Sequence, residues 1–109
     1  MRITVRTAPG VKPGLADVAK RRLEFALGRF GPRIRRLTVR LDDLNGPRGG
    51  VDQYCGVIVH LGAPRKLIVI EEEAAEAVAA IGRAADRAAR AVARAVQAPA
   101  AWRVAPHGS

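Results

Sequence analysis

The stretch "RRLTVRLDDLNGPRGGVDQYCGVIVHLGAPRKLIVIEEE", Arg35–Glu73, decides the fold. It holds three runs in which apolar and polar residues alternate. In the first, Leu37, Val39 and Leu41 share one face and Arg36, Thr38 and Arg40 the other. In the second, Cys55, Val57, Val59 and Leu61 share a face; "RKLIVIEEE" is the third. Period-two alternation of this kind marks half-buried strands, and "GAP" leaves room only for a turn. Three successive strands joined by turns imply an antiparallel meander.

The connection "DDLNGPRGGVDQYC", Asp42–Cys55, contains three Gly, one Pro and three Asp. Asn45, Gly46, Gly49 and Gly50 accept positive φ, which suits an extended hairpin connection. No helix follows it, so the usual phosphate-cradle architecture is missing. Asp42, Asp43 and Asp52 lack the spacing of a calcium loop.

Upstream, "RITVRT" (Arg2–Thr7) alternates as a further strand, with Ile3 and Val5 on one face and Arg2, Thr4 and Arg6 on the other. Leu15, Ala19, Leu23, Ala26 and Phe30 recur at helical spacing, which predicts an amphipathic helix of about sixteen residues. Pro13 suits its start, and Gly28, Gly31 and Pro32 its end. Downstream, the Ala-rich run from Glu72 or Glu73 to Gln97 predicts a long helix, with Glu71, Glu72, Glu73 and Glu76 complementing the dipole at its start. Pro99 stops it.

The order is β-α-β-β-β-α. Two helices do not cover both faces of a four-stranded sheet, so both are expected on one. The prediction is an α+β two-layer domain over residues 1–98, with 99–109 as a tail. Parallel pairing of the first strand with a neighbour stays open. No internal repeat is seen.

The chain has 109 residues and a net charge of +9. That size is one ordinary domain, large enough for a core without metals or disulfides. A single cysteine, an N-terminus with no apolar signal segment and no membrane-length apolar run together predict a soluble, cytoplasmic protein. The charge is uneven: residues 1–41 carry a net +9, 42–76 a net −4 and 77–109 a net +4. Such a balance favours a polyanionic partner.

On the last helix, Val78, Ile81, Ala85, Ala88, Val92 and Val96 form the expected core stripe. Arg83, Arg87, Arg90 and Arg94 fall within about 60° of arc on the opposite side. The row is Arg only, and Arg makes bidentate phosphate contacts that Lys does not. Counting four residues back, only Arg90 meets an acid, Asp86, while Arg83–Arg87 and Arg90–Arg94 are like-charge pairs that mildly destabilise a helix. A row with such a cost is better explained by an anionic ligand than by solubility. Lys20, Arg21 and Arg22 add a basic segment on the first helix.

No Walker motif, dinucleotide fingerprint, CxxC or HExxH is present. His60 is expected on the open side of the sheet and Cys55 in the core. No enzyme, cofactor or metal site is expected. Tyr54 and Trp102 are too few for a single-strand stacking platform.

"DLNGPRGGVDQYCGVIVHL" and "AIGRAADRAARAVAR" together resemble the ribosome hibernation-promoting factor and ribosome-associated inhibitor A family, also called the sigma-54 modulation family. The similarity runs from about Met1 to Gln97, and the element order agrees. The resemblance implies binding to the small ribosomal subunit, in the channel used by mRNA and tRNA. Idle ribosomes are thereby inhibited and preserved under stress. It also implies that Arg83, Arg87, Arg90, Arg94, Lys20, Arg21 and Arg22 meet ribosomal RNA, with Arg48 of the glycine-rich connection as a further contact. Glu24 and Gly28 stand where more basic character is expected. Long family members carry a second, dimerising domain; the sequence after the last helix is too short for one, so ribosome pairing through it is not expected. Two other readings stay open: a general module for structured RNA, and a protein-interaction domain without RNA.

Overall fold

The computed structural model describes residues 1–44 and 51–97. It comprises β1 (Arg2–Thr7), α1 (Leu15–Leu27), a 3-10 turn (Gly28–Arg33), β2 (Ile34–Asp43), β3 (Gln53–Gly62), β4 (Arg65–Ala74) and α2 (Ala77–Gln97). The four strands form one sheet in the order β1-β2-β3-β4. β2, β3 and β4 are the antiparallel meander. β1 pairs with β2 in parallel, which settles the pairing left open above. A parallel neighbour requires a crossover, and α1 supplies it.

One face of the sheet is buried. Leu37, Val39 and Leu41 of β2, Cys55, Val57, Val59 and Leu61 of β3, and Ile68 and Ile70 of β4 point into it. Both helices close this face. Ala19, Leu23 and Leu27 come from α1, with Phe30 of the 3-10 turn; Ala80, Ile81, Ala84, Ala85, Ala88 and Val92 come from α2. The two-layer architecture expected from the element count is present.

Three details differ from the sequence reading. α2 begins at Ala77, so Glu71, Glu72 and Glu73 lie in β4 and not at a helix start. Their backbone pairs with Gly56, Cys55 and Tyr54, and those ladder hydrogen bonds outweigh the modest gain of placing acids at a helix dipole. α1 is shorter than predicted, at 13 residues, because the chain tightens at Gly28 into the 3-10 turn that contains Pro32. The buried stripe of α2 is rotated. Ala80 and Ala84 are inside and Val78 is 61% exposed, because small alanines let the helix lie close to the sheet.

α1 starts from Gly14 at φ +89°, a left-handed conformation that glycine takes without a Cβ penalty. No helix among the described residues is long and apolar enough to cross a membrane.

Candidate nucleic-acid interface

The arginine row of α2 follows from the helical repeat. Arg83, Arg87, Arg90 and Arg94 are all exposed. The structure divides them. Arg87 pairs with the Glu72 carboxylate and donates to the Glu71 carbonyl at 2.9 Å. Arg83 donates to the Glu73 carbonyl at 3.4 Å. The first half of the row is therefore fastened to the edge strand β4. Arg90 and Arg94 have no ion pair or side-chain hydrogen bond among the described residues.

Asp86, four residues before Arg90, pairs instead with Arg22 of α1 at 2.8 Å. This bridge marks the seam between the helices. Asp86 flanks the row on its α1 side, about 40° around α2 from Arg90, while Arg83 and Arg87 lie on the side beside β4. Lys20 is about 160° around α1 from Arg22 and so turns away from the seam. Arg21 pairs with Asp17 one turn earlier, at 3.3 Å. The basic residues expected to form the site thus do not make one patch. They form a row beside β4, a seam bridge, and a group on α1. Arg48 and residues 45–50 of the glycine-rich connection lie outside the described residues.

Two features beyond the expected site stand out. Phe25, on the outer side of α1, is 87% exposed, with Arg21 four residues before it, Arg22 three before and Arg29 four after. The open face of the sheet is also rich in arginine: Arg2, Arg6, Arg36 and Arg40 line its β1–β2 half. A sequence signal for the second feature exists in the short likeness of "RITVR" (Arg2–Arg6) to "RLTVR" (Arg36–Arg40).

Among the described residues the remaining titratable groups form no catalytic arrangement. Cys55 is fully buried, and burial first, with nearby Glu72, pushes its thiol up to about 12. His60 lies on the open sheet face near the Thr38 hydroxyl, 3.4 Å away. Its pKa is lowered by desolvation and then by the charges of Arg36 and Arg35, so the imidazole is neutral at pH 7. Among the described residues no group of three or more His, Cys, Asp or Glu side chains is placed to hold a metal.

The geometry defines a class: a basic two-layer α+β domain with charged, solvent-facing helix surfaces. No family model matches the chain, and no curated protein matches it in sequence. Solved structures do. The N-terminal domain of Protein Y from Thermus thermophilus is 26% identical, with a TM-score of 0.62 over 86% of this chain and 98% of that one. A ribosomal subunit interface protein from Coxiella burnetii shares the fold at 15% identity, with a TM-score of 0.66 over 87% of this chain and 97% of the other. Both belong to the hibernation-promoting factor family, and the resemblance of this chain to that family extends from sequence to structure.

Proposed function

We propose that the chain is a ribosome-binding domain that docks on the small subunit through the basic surfaces of its helices. It contacts ribosomal RNA there, and its presence in the subunit channel inhibits translation and preserves idle ribosomes under stress. It acts in the cytoplasm, as a binding protein and not as an enzyme. The observation that supports this most is the α2 row: Arg90 and Arg94 stand exposed and unpaired among the described residues, one turn apart, at a cost in like-charge repulsion. The likeness to the Protein Y N-terminal domain over 98% of that domain's length supports this reading.

Within this reading, Arg90 and Arg94 are the primary phosphate contacts. Arg83 and Arg87 hold the row against β4 and offer their remaining donors. Arg22 and Arg21 exchange Asp86 and Asp17 for phosphate, while Lys20 and Arg48 add further positive charge for RNA. Phe25 presents an apolar ring for an unpaired base beside three arginines. Residues 1–98 form the working domain and 99–109 its tail.

The test is co-sedimentation with purified small ribosomal subunits at low and near-physiological salt, using the native chain and Arg90→Ala/Arg94→Ala. Among the described residues neither makes an ion pair or a side-chain hydrogen bond, so the variant is expected to keep its fold. Binding that weakens steeply with salt and is reduced in the variant supports the reading. Equal affinity for any RNA duplex would favour a general structured-RNA module instead.

A further inference from the structure

Parallel pairing sets "RITVR" of β1 beside "RLTVR" of β2 residue for residue. Arg2 faces Arg36, Thr4 faces Thr38, and Arg6 faces Arg40. Because side chains alternate, all six emerge on the open face of the sheet, opposite the helices. The result is a ladder of two arginine rungs about 13 Å apart with a threonine rung between them.

Such a ladder is costly without a ligand. Like charges directly opposite across a strand pair repel. Arg40 has only a 3.5 Å contact to Asp42, and Arg2, Arg6 and Arg36 have no ion pair among the described residues. The face is also recessed at its end. Arg2, Arg35, Arg36 and His60 line a concavity of about 300 Å³, with no carboxylate among its described lining residues.

Two backbone devices build that recess. The register shifts between Ile34 and Arg36, which inserts one extra residue into β2 and turns Arg35 outward beside Arg36. Gly62 on β3 then leaves room for the Arg35 stem, since a Cβ there would lie 3.0 Å from Arg35 Cγ. Arginine is the only cation on this face of β1 and β2; the chain's three lysines lie elsewhere. Repeated, evenly placed guanidinium pairs with hydroxyls between them match the repeating phosphates and sugar hydroxyls of RNA.

We propose that the open face of the sheet is a second RNA-phosphate track, formed by Arg2, Arg6, Arg35, Arg36 and Arg40 with Thr4 and Thr38. The domain then contacts RNA from both layers, helices on one side and the β1–β2 half of the sheet on the other. This goes beyond the helix-face reading and is independent of it.

The experiment compares three proteins: the native chain, a sheet variant (Arg2→Gln/Arg6→Gln/Arg36→Gln/Arg40→Gln) and a helix variant (Arg90→Gln/Arg94→Gln). Binding to small ribosomal subunits is followed from about 50 to 300 mM salt. The sheet variant relieves two repulsive pairs, so its melting temperature is expected to equal or exceed the native value. Its affinity is expected to fall about tenfold or more, and the slope of log affinity against log salt to flatten by about two to three. Native-like affinity and slope in the sheet variant would overturn the inference, whatever the helix variant does. Native-like behaviour of the helix variant alone would instead overturn the helix reading. A short oligouridylate and phosphatidylserine-containing vesicles serve as further probes. Loss of vesicle binding with RNA and subunit binding retained would reassign the face to lipid and overturn the RNA track. If native protein does not bind subunits, equal oligouridylate binding by the native and sheet-variant proteins also overturns it.

Discussion

Tyr54 is the chain's single tyrosine, so its ionisation is readable by absorbance without assignment. Its ring lies across Gly56: a Cβ there would come within 2.5 Å of the hydroxyl oxygen. The hydroxyl donates to Glu71 Oε2 at 2.6 Å. Burial, then the Glu71 hydrogen bond and the Glu71 charge, raise the tyrosine from 10.0 to about 12. A folded-state pKa above the unfolded one stabilises the fold fully below pH 10 and loses that contribution as pH rises through 12. Two units correspond to about 2.7 kcal/mol before screening. Tyr54 sits on a solvent-facing sheet surface, and screening reduces this to about 1 kcal/mol. Glu71→Ala removes the acceptor and the charge while sparing the Glu71 carbonyl that Arg87 uses. In that variant the phenolate transition is expected to fall from about 12 toward 10.0, stopping above it because some burial persists. Denaturant midpoints at neutral pH should drop by about 1 kcal/mol equivalent, with the gap between the two proteins closing above pH 12. The assay is alkaline titration of phenolate absorbance, with far-UV circular dichroism at each pH to confirm folding. A native transition at the ordinary tyrosine value, or one that Glu71→Ala leaves unmoved, would refute the reasoning.

Cys55, buried and with its thiol pushed up to about 12, should resist a thiol reagent at pH 8 in the native state and react fully in denaturant; rapid native labelling would contradict its placement. Leu23→Ala opens a void where α1 meets the core and should cost about 2 to 5 kcal/mol in chemical denaturation. Ala84→Leu, under α2 where no surface is exposed, should cost about 1 to 3 kcal/mol by overpacking, and a smaller loss would show that α2 has room to lift. A double-mutant cycle on Arg22 and Asp86 should give a coupling below about 1 kcal/mol that shrinks with added salt, because both side chains are substantially exposed.

Much of this molecule is legible in its sequence because its elements are strongly periodic. Leu37–Val39–Leu41 and Cys55–Val57–Val59–Leu61 announce their strands and their buried face, and the structure buries each of them. What sequence could not supply is what lies beside an element. Helical spacing places Arg83 and Arg87 on one face with Arg90 and Arg94, yet only the packed structure brings β4 carbonyls against the first two. The same spacing offers Asp86 to Arg90, but α1 approaches on the other side and Arg22 takes the carboxylate. The acids from Glu71 to Glu73 suit either a helix start or a strand end; pairing with β3, a long-range interaction, decides. Alternation places the sheet-face arginines on outward faces strand by strand. Their assembly into rungs needed the parallel pairing that alternation alone left undetermined.

The matched strand segments also bear on how the sheet avoids assembling in the wrong frame. Sliding β1 along β2 by two residues keeps Ile3 and Val5 pointing inward, so the hydrophobic pattern does little to forbid the slip. It would also part the paired arginines, since a shift toward the end of β2 sets Arg2 beside Thr38, Thr4 beside Arg40 and Arg6 beside Asp42 and relieves the repulsion of the rungs. The native frame is instead held from the ends, where Ala8 donates its backbone N–H to the Leu41 carbonyl at 3.0 Å and α1 fixes the length of the return path. Lengthening the segment between β1 and α1 would therefore loosen the one strand whose placement the side chains leave ambiguous. It would yield a folded domain with a shifted outer strand before it yielded an unfolded one.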